Sequence, residues 1–273
     1  MKAILENYAS NLTTEPLYFS ECLNRIGSQG MLWNPAELSI YDAYDVMNPD
    51  LIVVTLGSIS LDIFKLLKNS PTKLVVNISG CPKDQVELLC EAIKTNKIDC
   101  PFIFGDTSPN DIVGGIRHVN ILKGADIFLK YQNNTLPDYA IDAAFIVDSE
   151  EEEIGFEGSY HVLSQDESIK ADIHFPINSF YALCGNYKEI FIKHSVDNVL
   201  SQVFFDAHLY GNKITIDPVG GESQSVTDML LDKFGSDVKK SVGSKHLCTH
   251  RVSRFLRKLG LKEEAKNVEK IEE

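Results

Sequence analysis

The feature that most limits what this chain can fold into is a repeated alternation in its first part. Unbroken apolar runs of strand length are separated by stretches with helical spacing. MKAILENY reads as a strand, and LYFSECLNRIG as a helix closed by Gly27. GMLWNP reads as a second strand and SIYDAYDVMNP as a short helix stopped by Pro49. DLIVVTL has no polar face, as expected of a strand covered on both sides. Ser58 or Ser60 caps the helix SLDIFKLLKNS, which Pro71 ends, and KLVVNIS is another buried strand. PKDQVELLCEAIKTN is an amphipathic helix with Pro82 near its first turn, and CPFIFGD is a fifth strand. This alternation implies a parallel sheet with right-handed crossovers.

Turn residues then accumulate in TSPNDIVGGIRHVN, which reads as a link between two halves. ADIFLKY and YAIDAAFIV are strand-like, and the acidic run Glu150 to Glu153 reads as a solvated loop. Alternation resumes with ADIHFPI as a strand, SFYALCGNY as a helix and EIFIKH as a strand. VDNVLSQVFFDAHLYG follows as a helix with Gly211 as its cap, then KITIDP as a strand. From about Ser223 onward the pattern is helical. The expected fold is α/β, with Rossmann-like domains over 1–115 and 116–240 and a C-terminal helical segment over 241–273.

A chain of 273 residues, 44% apolar and 24% charged, can build two such cores. A net charge of −13 argues against general binding to nucleic acid, whose phosphates it would repel. The six cysteines, Cys22, Cys81, Cys90, Cys100, Cys184 and Cys248, form no C-x-x-C pair, and several lie in apolar runs. They read as reduced core residues. The N-terminus lacks the apolar stretch of a signal peptide, and no run is long enough for a membrane span. The expected location is the cytoplasm, or the host cytoplasm for a viral protein.

The most informative stretch is EIFIKHSVDNVLSQVFFDAHLYGNKITIDPVGGES. It reads as strand, loop, helix, glycine turn, strand and a second glycine loop. Ligands of such sheets bind where loops leave the carboxyl ends of the strands. A helix start near Asn198 offers free N–H groups and a positive dipole end, which suits a diphosphate. Gly220 and Gly221 permit close backbone approach. Asp206, two turns along, offers a carboxylate to a pair of sugar hydroxyls, and Lys193 and His194 sit where a cation balances phosphate charge. Each feature alone has a plainer reading as a turn, a surface helix residue or a solvated lysine; their order and spacing are what make them specific.

VFFDAHLYGNKITIDPVGGES resembles the donor half of GT-B glycosyltransferases. There a Phe-Glu-Ala helix ends in glycine and is followed by a strand and a Gly-Gly-x-x-Glu-like loop. Of two glutamates in that pattern, the second holds the nucleotide ribose and the first lies near the donor sugar and phosphate. Asn198 and Asp206 stand at those positions, so the carboxylate is kept at the second and the charge is lost at the first. SKHLCTHRVSRFLRKLGL is similar to the closing segment of the CgeB-like, spore-maturation-type branch, with His246, His250 and Arg251 on its pattern. NPDLIVVTLGSISLDIFKLLKNSPTKLVVNISG resembles the first half of the same family, and FIFGDTSPND the segment before the domain crossover, with Asp106 at the acidic position. His246 and His250, four apart, also share one helix face in the manner of metal ligands, but no third ligand is evident.

The resemblance implies an acceptor-side first domain, a nucleotide-sugar-binding second domain, and terminal helices that pack back on the first. It implies sugar transfer from a nucleotide diphosphate sugar to an unidentified acceptor. Asp206 would hold the ribose, while Asn198, the catalytic candidate, with Lys193, His194, Gly220, Gly221 and Glu222 would meet the diphosphate or donor sugar. No metal or other cofactor is implied. The alternative is a catalytically inactive GT-B-like binding or structural module, favoured by Asn198 and by the lack of a glycine-rich turn in ENYASNLTTEP. A doubly wound receiver or sensing domain predicts an acidic cluster after the first strand, which supplies only Glu6.

Overall fold

A computed structural model describes residues 1–7, 14–79, 81–105, 112–121, 141–147, 154–164, 166–175, 183–193, 213–216 and 247–272. The chain divides into two compact units, Met1–Leu122 with Thr249–Glu273, and Lys123–Cys248.

The first unit contains strands β1 (Lys2–Glu6), β2 (Gln29–Trp33), β3 (Leu51–Thr55), β4 (Lys73–Asn77), β5 (Ile103–Gly105), β6 (Ile112–Val113) and β7 (Ile116–Asn120). They form one sheet in the order β2-β1-β3-β4-β5-β7-β6. Every pair is parallel except β6 with β7. Its helices are α1 (Thr14–Arg25), α2 (Ile40–Met47), α3 (Leu61–Leu67), α4 (Lys83–Thr95), α5 (Cys248–Lys258), which joins this unit from Thr249, and α6 (Lys262–Glu269).

Local signals explain the boundaries. Ser39 caps α2 by accepting the Asp42 N–H at 3.1 Å and donating to the Asp42 carboxylate at 2.6 Å. Asn48 ends that helix in the left-handed conformation, with φ 45°, just before Pro49. Ser60 occupies the N-cap of α3 without a side-chain hydrogen bond to it, and Pro82 occupies the N-cap of α4.

The stretch read as a link is in part a β-hairpin. β6 and β7 turn at Gly114 and Gly115, with φ of 51° and 77°, and so complete the first sheet. Both residues need positive φ, and a Cβ on Gly114 would stand 2.5 Å from that of Cys90 on α4. The first unit therefore reaches Leu122 rather than stopping at 115.

Side chains alternate across this sheet. On one face Ile4, Ile52, Val54, Leu74, Val76 and Ile103 join a core with Ile40 and Ala43 of α2, Ile63 and Leu67 of α3, and Val86, Leu89 and Ile93 of α4. On the other, Phe255 of α5 is 1% exposed and meets Phe19 of α1, Phe102 and Phe104 edge to face, with centroids 5.0, 5.2 and 5.6 Å apart. The sheet is thus covered on both sides, one of them by helices from the two ends of the chain.

The second unit contains β8 (Ile141–Val147), β9 (Tyr160–Ser164), β10 (Ile173–His174), β11 (Tyr187–Lys193) and β12 (Lys213–Ile216). Its sheet is parallel throughout, in the order β10-β9-β8-β11-β12. β9 has no counterpart in the sequence reading, and Tyr187, placed there at the end of a helix, opens β11. Phe145 of β8 stacks on Phe191 of β11 at 4.5 Å and 9°, and Phe156 packs against both. No helix among the described residues is long and apolar enough to cross a membrane.

Truncating Phe255 would open a cavity between three rings. Phe255→Ala is expected to lower the stability of the first unit by about 3–5 kcal/mol, read as a fall in the urea midpoint of far-ultraviolet circular dichroism.

Candidate functional site

In the first sheet, strand order reverses between β1 and β3: β2 lies to one side and β4, β5 and β7 to the other. Loops leaving the carboxyl ends there diverge, and the gap they leave is where ligands of such sheets bind. Glu6, the last residue of β1, stands at this point and is only 5% exposed. Its Oε2 accepts the backbone N–H of Thr55, the last residue of β3, at 2.6 Å and the Thr55 hydroxyl at 3.2 Å. Ser58 lies 2.9 Å from that hydroxyl. The carboxylate thus bridges the two strands across the reversal.

Glu6 Oε1 is buried and has no hydrogen-bond partner among the described residues, and the same is true of Asn7 Oδ1. Burial pushes the Glu6 carboxyl above its ordinary range, opposed by the nearby Ser58 hydroxyl and the two Thr55 donors. Among the described residues no charged side chain contributes to that shift.

Beside Glu6 is a partly open cavity of about 70 Å³, measured as the space open to the centre of a water-sized sphere. Its wall includes Leu5 and Val53 from the strands, Tyr18 and Phe19 from α1, and Phe104 from β5. The wall is mainly apolar, and Glu6 is the one acidic residue among its described lining residues.

In the second sheet the order reverses between β8 and β11. Lys193 ends β11 at that reversal, in register with Val147 at the end of β8. β12 runs parallel beside β11 and ends at Ile216, so both strands finish on the same edge of the sheet. Of the candidate donor-site residues, only the backbone of Lys193 falls within the described residues. His194, Asn198, Asp206, Gly220, Gly221 and Glu222 lie outside them, as do Asp106, Glu150 to Glu153 and His246.

The two matched residues of α5 that are described sit in the first unit. Arg251 is 5% exposed, and burial lowers its guanidinium to about 10, with the nearby Tyr18 acting in the opposite direction. Burial, then Arg251, depresses the His250 imidazole, which Glu269 partly offsets. No cluster of three or more His, Cys, Asp or Glu suited to a metal ion occurs among the described residues.

Sequence reasoning noted Glu6 only as a lone acid, too little for an acidic cluster. The signal that it matters is an acid placed directly after the apolar run Ala3-Ile4-Leu5, and its weight comes from a partner 49 residues away.

No protein-family model matches the chain, and no curated protein matches it significantly. Among solved structures it is similar to the glycotransferase of kitacinnamycin, at 10% identity and a TM-score of 0.42, over 99% of this chain and 97% of that one.

Because the folded-state pKa of Glu6 is raised, the native state holds the proton more tightly than the unfolded chain. The resulting stability is fully present below the ordinary value of 4.5 and is lost as pH rises through the higher folded value. Glu6→Gln keeps an acceptor for the Thr55 N–H. It is expected to gain stability relative to the wild type as pH rises above the ordinary carboxyl value of 4.5, measured by urea denaturation at a series of pH values. A constant difference would show that Glu6 titrates as it does in the unfolded chain.

Proposed function

We propose that this chain is a GT-B-like glycosyltransferase that moves a sugar from a nucleotide diphosphate sugar to an acceptor. The observation that carries this reading is in the second sheet. Lys193 ends β11 where strand order reverses, and the residues that follow carry the helix, glycine, strand and Gly-Gly-x-x pattern of a donor site. A β10-β9-β8-β11-β12 order corresponds to one dinucleotide-type half with its crevice at that reversal.

In this proposal Asp206 accepts hydrogen bonds from the ribose hydroxyls. Asn198, Lys193, His194 and the Gly220-Gly221-Glu222 loop meet the diphosphate or donor sugar. Departure of the nucleotide diphosphate is then helped by N–H groups and cations aimed at the developing charge, in a site from which water is excluded. The residues in these roles need no metal.

One observation favours a second reading, a catalytically inactive module that keeps donor binding: Asn198 lacks the charge found at that position in the resembled pattern.

Two measurements separate these readings. A uridine or guanosine diphosphate is expected to raise the melting temperature, since a ligand at 100 times its Kd stabilises the native state by about 2.7 kcal/mol. No shift at millimolar nucleotide or nucleotide sugar would remove the donor site. Asp206→Ala deletes two charge-assisted hydrogen bonds worth about 1.5–3 kcal/mol each, so donor affinity in calorimetry should fall at least tenfold with the fold retained. Asn198→Ala should act on turnover more than on binding, and Asn198→Glu should raise donor hydrolysis in a weakened enzyme. Binding without turnover in the wild type and in Asn198→Glu, across a broad acceptor panel, would favour the inactive module.

A further inference from the structure

We propose that the cavity at the carboxyl edge of the first sheet binds a small organic amine, with its apolar body against Tyr18, Phe19 and Phe104 and its ammonium group on Glu6 Oε1. The described residues that line the cavity all belong to the first unit, and none of them is a residue of the donor site proposed above.

Four observations carry it. Glu6 is held in place, because Oε2 takes both Thr55 donors while Oε1 is left without a partner among the described residues. Buried carboxylates are ordinarily paired, so an unpaired oxygen at a cavity wall calls for a donor and preferably a cation. Of the other polar groups of the wall, Thr55 donates to Glu6 and Asn77 Oδ1 accepts the Ser79 N–H at 2.9 Å. The rest of the wall is aliphatic and aromatic, which suits the body of an organic cation.

Size and place agree with this chemistry. A single water needs about 10–15 Å³ on the same measure and makes about three hydrogen bonds when buried. The cavity offers about 70 Å³ and one unsatisfied acceptor. Water is therefore poorly rewarded there, whereas a molecule with one donor and an apolar body satisfies Glu6 and covers the rings. The cavity also opens at the reversal of strand order, the usual ligand position of a doubly wound sheet.

The test uses the full-length chain near neutral pH with three probes of similar shape: benzylamine, benzyl alcohol and toluene. Binding is followed by ligand-detected nuclear magnetic resonance and calorimetry. Benzylamine is expected to bind at least tenfold more tightly than toluene, with benzyl alcohol between them. Glu6→Gln should reduce benzylamine affinity at least tenfold and leave toluene unchanged. Val53→Phe, which narrows the cavity away from the carboxylate, should weaken all three, and it carries the test if circular dichroism shows that Glu6→Gln does not fold. Benzylamine binding no tighter than toluene, unchanged affinity in Glu6→Gln or in a folded Val53→Phe, or no binding of any probe would each overturn the proposal. The last outcome would mean that the chain fills the cavity itself.

Discussion

A parallel sheet has to be covered on both faces, and in the first unit that requirement organises everything else. Connections between parallel neighbours must cross the sheet, and α2, α3 and α4 pack on the face that carries Ile52, Val54 and Val76. Among the described residues, α1 is the helix from the early part of the chain that packs on the opposite face. That face is completed by α5, whose Phe255 sits among Phe19, Phe102 and Phe104. A domain that begins at residue 1 thus completes the core on one face of its sheet with residues after 248.

The same geometry produces the chemistry. Both sheets reverse their strand order, the first between β1 and β3 and the second between β8 and β11. A reversal separates consecutive loops and opens a crevice at the carboxyl ends, so each unit has one natural place for a ligand. The residues ending the strands there differ in character. The first crevice has a buried acid among rings, whereas the second has a strand ending in Lys193 followed in sequence by the polar stretch HSVDN. An acid kept inside an apolar wall is a local cost that the rest of the unit offsets, and such exceptions to core rules concentrate at binding sites.

The elements legible in the sequence were those whose surroundings are uniform. LIVVT and KLVVN form β3 and β4 with neighbours on both sides and helices on both faces, so their apolar runs are continuous. Helix α2 is legible through its stop at Pro49, and the structure adds the Ser39 and Asn48 caps, local devices that need no tertiary partner. β9, with the sequence YHVLS, was missed because a short strand with polar residues gives no clear period, and its place in the sheet is set by pairing with β8 and β10. The β6–β7 hairpin reads as a linker because turn residues accumulate around it, although Gly114-Gly115 between Val113 and Ile116 is also a hairpin signal. Glu6 was legible as a residue but not as a site. A carboxylate is buried or solvated according to what lies across from it, and Thr55 belongs to another strand.

The division of the first unit between the two ends of the chain has a consequence for biosynthesis. A polypeptide emerges from the ribosome N-terminus first, so the strands of the first sheet appear well before the helix that covers their second face. Synthesis of the intervening unit takes roughly 6–25 s at about 5–20 residues per second. For that interval Phe19, Phe102 and Phe104 have no Phe255 to meet. The domain translated first is therefore finished last, and the second unit, continuous in sequence, is free to fold ahead of it on the nascent chain.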